Sequence, residues 1–231
     1  MDFIARNLFT KLRAENFGTN EAAEPMTNFK KNKLREYVKN IDSLPPGKVI
    51  LANPMLNKKL IAIQNEETQS ATASPQTIYM LRIIVINVNT MLNGGISLRG
   101  IIQLGIFLRS RGEKVDYTKL NTWLENLRLR RMAQLQGSIL MKFFNFTADE
   151  LPFVRHYEGR AKKLTLKSLS YNYSGEKMKF GESSSGLFVK ASNGAFRKSL
   201  MRTLQFLEFA PIEVVSNFLN NFAHSISEIE E

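Results

Sequence analysis

Cysteine is absent from all 231 residues, which removes disulfides, Cys-ligated zinc, iron–sulfur clusters and thiol nucleophiles from consideration. Histidine is nearly absent. His156 and His224 lie far apart in the chain, and neither has a metal-ligand spacing such as H-E-x-x-H around it. No Ser-His-Asp set, carboxylate pair or acidic metal cluster stands out, so the chain is read as a non-enzyme without metal or cofactor. A signal peptide is not expected, because Asp2, Arg6 and Asn7 interrupt the apolar positions of Met1 to Lys11. The richest apolar run, Ile78 to Leu92, is broken by Arg82, Asn87 and Asn89 and falls short of the roughly 18–20 residues a membrane span needs. A soluble protein with no integral membrane association is expected. The glycine-rich stretches also lack phosphate-loop chemistry. Gly181 to Gly186 has no Walker spacing and Asn93-Gly94-Gly95 no G-x-G-x-x-G pattern, so both read as turns.

One further absence concerns charge. No Lys or Arg follows Arg202, while Glu208, Glu213, Glu228, Glu230 and Glu231 do. Residues 203–231 therefore carry −5, which leaves +16 on residues 1–202 of a chain whose total is +11. A basic body with an acidic end points to a polyanionic partner, since clustered cations bind phosphates by releasing condensed counterions.

What is present supports a folded protein. Hydrophobic residues make up 43% and charged residues 23%, enough for a core and not the composition of a disordered chain. The expected fold is mainly α with small β hairpins, a two-lobed helical core with N- and C-terminal helical arms. Residues 1–25 form the N-terminal arm and tether. The arm is amphipathic, with Ile4, Leu8 and Leu12 in helical register and Phe9 beside them, and Thr19 to Pro25 is a flexible tether. Residues 26–136 form an N-terminal lobe, opening with a helix from Met26 to Asn40 that Pro45-Pro46-Gly47 ends. Lys48 to Ala52 and Lys59 to Ile63 read as a hairpin with a basic tip, followed by an exposed loop from Asn65 to Ser74. Ser74 and Pro75 start a central buried helix, a second runs from Ser97 to Ser110, and Asp116 caps a third reaching about Gln136. The apolar stripe of that third helix is Leu120, Trp123, Leu124 and Leu127. Residues 137–209 form a C-terminal lobe, in which Thr147 and Glu150 suit a capping box, Lys163 to Tyr173 alternates partly like strands, and Asn193-Gly194 opens a helix to Phe209. Residues 210–231 are a C-terminal arm, a helix from Pro211 with Ile212, Val215, Leu219, Phe222 and Ile226 on one face.

Two basic constellations carry the functional reading. Arg99, Arg109, Arg111, Lys114, Arg128, Arg130 and Arg131 sit at the ends of three helices expected to converge, and arginine's planar fork suits phosphate. Arg155, Arg160, Lys162, Lys163 and Lys167 place five cations within thirteen residues, with Tyr157 among them and Tyr171 and Tyr173 following. Charges interleaved with rings fit a groove that holds single strands and stacks bases. Lys58 and Lys59 at the hairpin tip and Lys177 and Lys179 in the glycine-serine loop complete the set. Each cation singly could be no more than a solvated helix end. Phe143, Phe144 and Phe153 read as core and are set apart from the site. The apolar faces of both arms, Ile4, Leu8, Phe9 and Leu12 in the first and Ile212, Val215, Leu219 and Phe222 in the second, are the candidate self-assembly contacts.

In size, basic charge and order of parts, the chain resembles the nucleocapsid proteins of segmented negative-strand RNA viruses of the peribunyavirus type. The parts concerned are the N-terminal arm, the hairpin of Lys48 to Ile63, the helix opening at Pro75, the aromatic stretch of Phe143 to Tyr157 and the C-terminal arm. The resemblance implies a nucleoprotein that encapsidates single-stranded RNA without sequence preference and homo-oligomerises through its arms. It also implies a viral polymerase as a further partner, and the host cytoplasm and virion as its locations. The alternative is a viral matrix or coat assembly protein whose basic face meets an anionic membrane or a genome.

Overall fold

A computed structural model describes residues 2–43, 48–70, 73–169 and 203–227 of the protein. Helices dominate: α1 (Phe3–Phe17), α2 (Asn28–Ser43), α3 (Pro54–Gln69), α4 (Pro75–Gly94), α5 (Leu98–Arg111), a 3-10 turn (Gly112–Lys114), α6 (Tyr117–Asn126) and α7 (Arg130–Phe144). Residues 161–169 are also helical, here α8, and Pro211–Ser227 form α9. Among the described residues there is no strand, and no helix is long and apolar enough to cross a membrane.

The mainly helical expectation therefore holds and the hairpins do not. Where a hairpin was expected at residues 48–63, Asn53 caps α3, its side chain accepting from the Met55 and Leu56 amides, and Pro54 occupies the first turn. Proline costs nothing there, because that N–H has no intrahelical partner. Leu56, Leu60, Ile63 and Glu67 are the buried face of α3, a helical period that short β-branched runs concealed. The helix continues to Gln69, through the first half of the stretch expected as a loop. Residues 163–169 are likewise helix rather than strand, with Ala161, Leu164, Thr165, Ser168 and Leu169 buried at helical spacing. Residues 170–202, including the remainder of that alternating run, Lys177, Lys179 and the start of the helix expected at Asn193, lie outside the described residues.

Nor do the described residues separate into two lobes. One hydrophobic cluster extends from Ile4 on α1 to Val214 on α9, and the expected boundary at residue 137 falls within α7. At the centre is α4, whose Met80, Leu81, Ile84, Val85 and Val88 are fully buried against α5, α6 and α7. Its start is as expected at Pro75, although the Ser74 hydroxyl pairs with the Thr77 hydroxyl at 2.6 Å instead of capping a backbone amide. Asn87, one of the polar breaks in the apolar run, is buried and donates to Gln136 Oε1 on α7 at 2.9 Å and to the Gly100 carbonyl on α5 at 3.1 Å. Gln136 Nε2 in turn donates to the Ile84 carbonyl at 3.2 Å. Satisfied in this way, the two amides fix the mutual register of three helices, and an unsatisfied one would be costly. Gly100 lies at the crossing, where a Cβ would come within 2.0 Å of Asn87 Oδ1 and force the buried Asn87 amide to move.

The N-terminal helix is part of this core. Phe9 stacks on Phe143 with centroids 4.1 Å apart and meets Phe144 edge-on, while Phe17 sits edge-on to Phe144 and Phe146. Residues 18–27, though without regular structure, are pinned: Glu24 accepts from Arg6 at 2.9 Å, Glu21 accepts from Arg13, and Asn145 Nδ2 donates to Glu21 at 3.0 Å. The tether is thus anchored through charges of its own, which its small and acidic composition did not suggest.

Candidate nucleic-acid interface

The single helix expected from Asp116 to Gln136 is two helices. Asp116 caps α6 as anticipated, accepting from the Lys119 amide at 2.9 Å. After Asn126 the chain breaks, and Arg128 takes a left-handed conformation with φ of 56°. Leu127 and Leu129, on either side of the break, are both fully buried. Arg128 is left on the outside of the turn. Left-handed backbone is costly for a side chain with a Cβ, so Arg128 holds a position that glycine would fill with less strain.

This break reverses the role expected for the arginines. Arg130 and Arg131 do not close a helix but open α7, where the macrodipole is positive and cations are disfavoured. Positive potential at the junction is therefore concentrated, and an anion there would meet arginines and the helix start together.

The second basic set arrives at the same place. Glu125 at the end of α6 accepts from Arg130 at 2.5 Å and lies 3.6 Å from Arg155. The buried Glu158 carboxylate takes both guanidinium arms of Arg131, at 3.0 and 3.2 Å, and lies 3.3 Å from His156 Nε2. Arg131 also donates to the Glu208 carbonyl at 2.7 Å and covers the Phe209 ring at 4.9 Å, and Arg160 pairs with the Glu208 carboxylate at 2.8 Å. The hydrogen bonds that Arg131 donates to Glu158 hold its guanidinium above its ordinary pKa, partial burial opposing. Arg130, Arg131, Arg155 and Arg160 thus engage three glutamates, with Arg128 exposed in the adjoining turn and Tyr157 43% exposed. Continuing from it, α8 carries Lys162, Lys163 and Lys167 exposed. Arg128, Lys162 and Lys163 have no ion-pair partner among the described residues, so they retain charge for a ligand.

The remaining candidates are dispersed. Lys58 and Lys59 are exposed on α3 and Arg99 at the start of α5, roughly 18 Å of helix from Arg111 at its end. Arg109 is engaged: it donates to Glu150 at 2.9 Å and lies over the Phe146 and Phe17 rings at 4.2 and 5.1 Å. Against the desolvation that would raise it, the Thr147 amide and hydroxyl and Arg109 hold the Glu150 carboxyl below its ordinary pKa. Of the capping box expected at Thr147 and Glu150, one half is seen, the Thr147 amide donating to the Glu150 carboxylate at 2.8 Å, and the pair closes a turn rather than a helix. Phe143, Phe144 and Phe153 are buried.

The assembly candidates divide sharply. Ile4, Leu8, Phe9 and Leu12 are buried in the chain's own core, whereas Ile212, Val215, Leu219 and Phe222 are all between 42% and 56% exposed. Composition and spacing do not single out Glu125 or Glu158, and they place Glu208 only in the acidic end. The proximity of Glu125 to Arg130 was legible on the chain, but the approach of Glu208 to Arg160 and Arg131 exists only in the folded protein. Comparison with family models, with curated proteins and with solved structures finds no match to this chain.

Proposed function

We propose that the protein binds the phosphate backbone of single-stranded RNA on the face formed by Arg128, Arg130, Arg155, Tyr157, Arg160, Lys162 and Lys163, and that it self-assembles through α9, as a nucleoprotein does. The observation that carries this reading is the meeting of two separate basic stretches at the α6–α7 junction, with a strained Arg128 and two lysines left uncompensated. Three glutamates offset part of that charge, so the site is a patterned cationic surface with an exposed tyrosine rather than a bare groove. Contacts of this kind position a phosphate chain and carry no base information directly. The +16 of residues 1–202 supplies the long-range attraction. The likeness in layout to nucleocapsid proteins belongs to the same proposal.

Fluorescence anisotropy of a labelled single-stranded oligonucleotide, titrated over a range of salt, tests it. The expected log–log plot falls by about 0.7 per phosphate neutralised, and combined Arg128→Ala, Lys162→Ala and Lys163→Ala substitution weakens binding alike for poly-U and mixed sequences. A flat salt plot, or an unchanged affinity in the folded triple variant, overturns the reading. Binding of the wild-type protein to anionic vesicles in preference to RNA would instead favour the matrix or coat alternative.

A further inference from the structure

We infer that the groove between α4 and α5 is a binding site for a nucleoside phosphate, its base against the apolar and aromatic wall and its phosphate held by Arg82 and Arg111. The inference goes beyond the proposed function, and its residues are separate from those of the α6–α7 face.

The groove follows from the way the two helices pack. They run antiparallel, since Asn87 meets Gly100 near the link between them and Tyr79 meets Phe107 farther along, with ring centroids 5.2 Å apart. Tyr79, Arg82 and Ile86 share one edge of α4 at helical spacing, and Gln103, Phe107 and Ser110 share the facing edge of α5. Together with their neighbours they line a cavity of about 450 Å³, within the roughly 300–1,000 Å³ of small-molecule sites. A docked helix, roughly 10–12 Å across with its side chains, needs more room. The lining is mainly apolar, and Tyr79 and Ile106 within it are 50% and 44% exposed.

Charge and free polar groups select the ligand. The lining holds two arginines and no carboxylate, unlike the α6–α7 face. Three polar residues interrupt the apolar run of α4, and the fold accounts for two of them. Asn87 is bonded to Gln136 and Gly100, and Asn89 accepts from the Lys48 amide at 3.3 Å. The third, Arg82, is exposed with no ion pair or hydrogen bond among the described residues, and so is Arg111. Each lies within one turn of the Tyr79–Phe107 contact, on its C-terminal side, and side chains on a helix lean toward the N-terminus, here toward the rings in both cases. Arginine takes phosphate through paired hydrogen bonds, and a half-exposed ring accepts any base by stacking. A fatty acid would suit the arginines and isoleucines equally, but it makes no use of the Tyr79 ring or of the Gln103 amide, which can pair with a base edge.

The test titrates the full chain, treated with nuclease, with adenosine monophosphate (AMP) and follows the ligand by NMR. AMP should bind saturably, and adenosine, inorganic phosphate and decanoate should each bind at least about tenfold more weakly, because ring and charge are both required. Arg82→Ala with Arg111→Ala should weaken AMP binding by roughly tenfold or more and leave the melting temperature unchanged, since neither guanidinium has a partner to lose. Ile106→Glu, which puts a carboxylate into the groove from an exposed position, should abolish AMP binding without disturbing the Tyr79–Phe107 packing. The variant with Arg128→Ala, Lys162→Ala and Lys163→Ala should bind AMP as the wild type does. Displacement of AMP by a single-stranded oligonucleotide would make the ligand a nucleotide of a strand, and its retention a free nucleotide; the site stands in both cases. Absence of saturable AMP binding, tighter binding of decanoate, or equal binding of inorganic phosphate overturns the inference and leaves the proposed function standing. Loss of AMP binding in the α6–α7 variant, with retention in the groove variants, overturns it in favour of the α6–α7 face.

Discussion

Neighbouring arginines at the α6–α7 junction have opposite tasks, which substitution separates. Arg131 neutralises a buried carboxylate, so Arg131→Ala leaves Glu158 without its main partner and should cost on the order of 1.5–3 kcal/mol, the half-exposed guanidinium keeping it below the full penalty for a buried pair. Urea denaturation measures this directly. Arg128 contributes no ion pair among the described residues and holds φ at 56°. Arg128→Gly should leave stability unchanged or raise it by about 0.5–1 kcal/mol through relief of left-handed strain, and yet reduce oligonucleotide affinity. If Arg128→Gly destabilises the protein, the side chain is structural and the site loses its central member. Neither role follows from composition. Two arginines three positions apart look alike in sequence, and what distinguishes them is which one a glutamate 27 residues further on reaches.

At the scale of elements, the N-terminal helix shows how an amphipathic face can be read correctly and its partner missed. Ile4, Leu8, Phe9 and Leu12 do form one apolar face, but the surface that receives it is Phe143 and Phe144 of the same chain. Within its own chain α1 also makes the Arg6–Glu24 and Arg13–Glu21 pairs. Phe9→Ala should therefore lower global stability by about 3–5 kcal/mol, as for other buried aromatics, in a single cooperative transition. Loss of α1 alone at a lower denaturant concentration, with the body intact, would show that the helix is a separable arm. The same ambiguity affected α3: capping asparagine and proline at residues 53–54 mark a helix start as clearly as Ser74-Pro75 do, but Val49, Ile50, Ile61 and Ile63 drew the reading toward strands. Propensity in short apolar runs is a weak guide, and the tertiary contact of Leu60 decides it.

For the molecule as a whole, pH dependence should report how the acidic end is attached to the basic body. Burial pushes the Glu213 carboxyl above its ordinary value of 4.5, and the Asn53 and Ala52 amides pull it partly back. The folded state therefore holds this proton more tightly than the unfolded one does. Its contribution is most favourable below about the ordinary value, declines as pH rises through the raised value and is constant above it. Hydrogen bonds from Arg13 and Arg6 hold Glu21 and Glu24 lower, so those pairs act in the opposite sense and weaken as pH falls below the carboxylate range. The melting temperature of wild type relative to Glu213→Gln should thus decrease between about pH 4.5 and neutrality, and a constant difference across that range would mean that Glu213 ionises as though exposed.

The sequence by itself determined the helical class, the central place of the Pro75 helix, the Asp116 cap, the apolar seam of the last helix and the segregation of charge, because each depends on residues within a few turns of one another or on a sum over the chain. Only the tertiary structure decided that α1 packs into its own core, that the described residues share one core, and which of their cations are paired. Those outcomes depend on pairings such as Phe9 with Phe143, Asn87 with Gln136 and Arg160 with Glu208. Their members are far apart in sequence, and an apolar face or a charge specifies the kind of partner it needs without specifying where on the chain that partner lies.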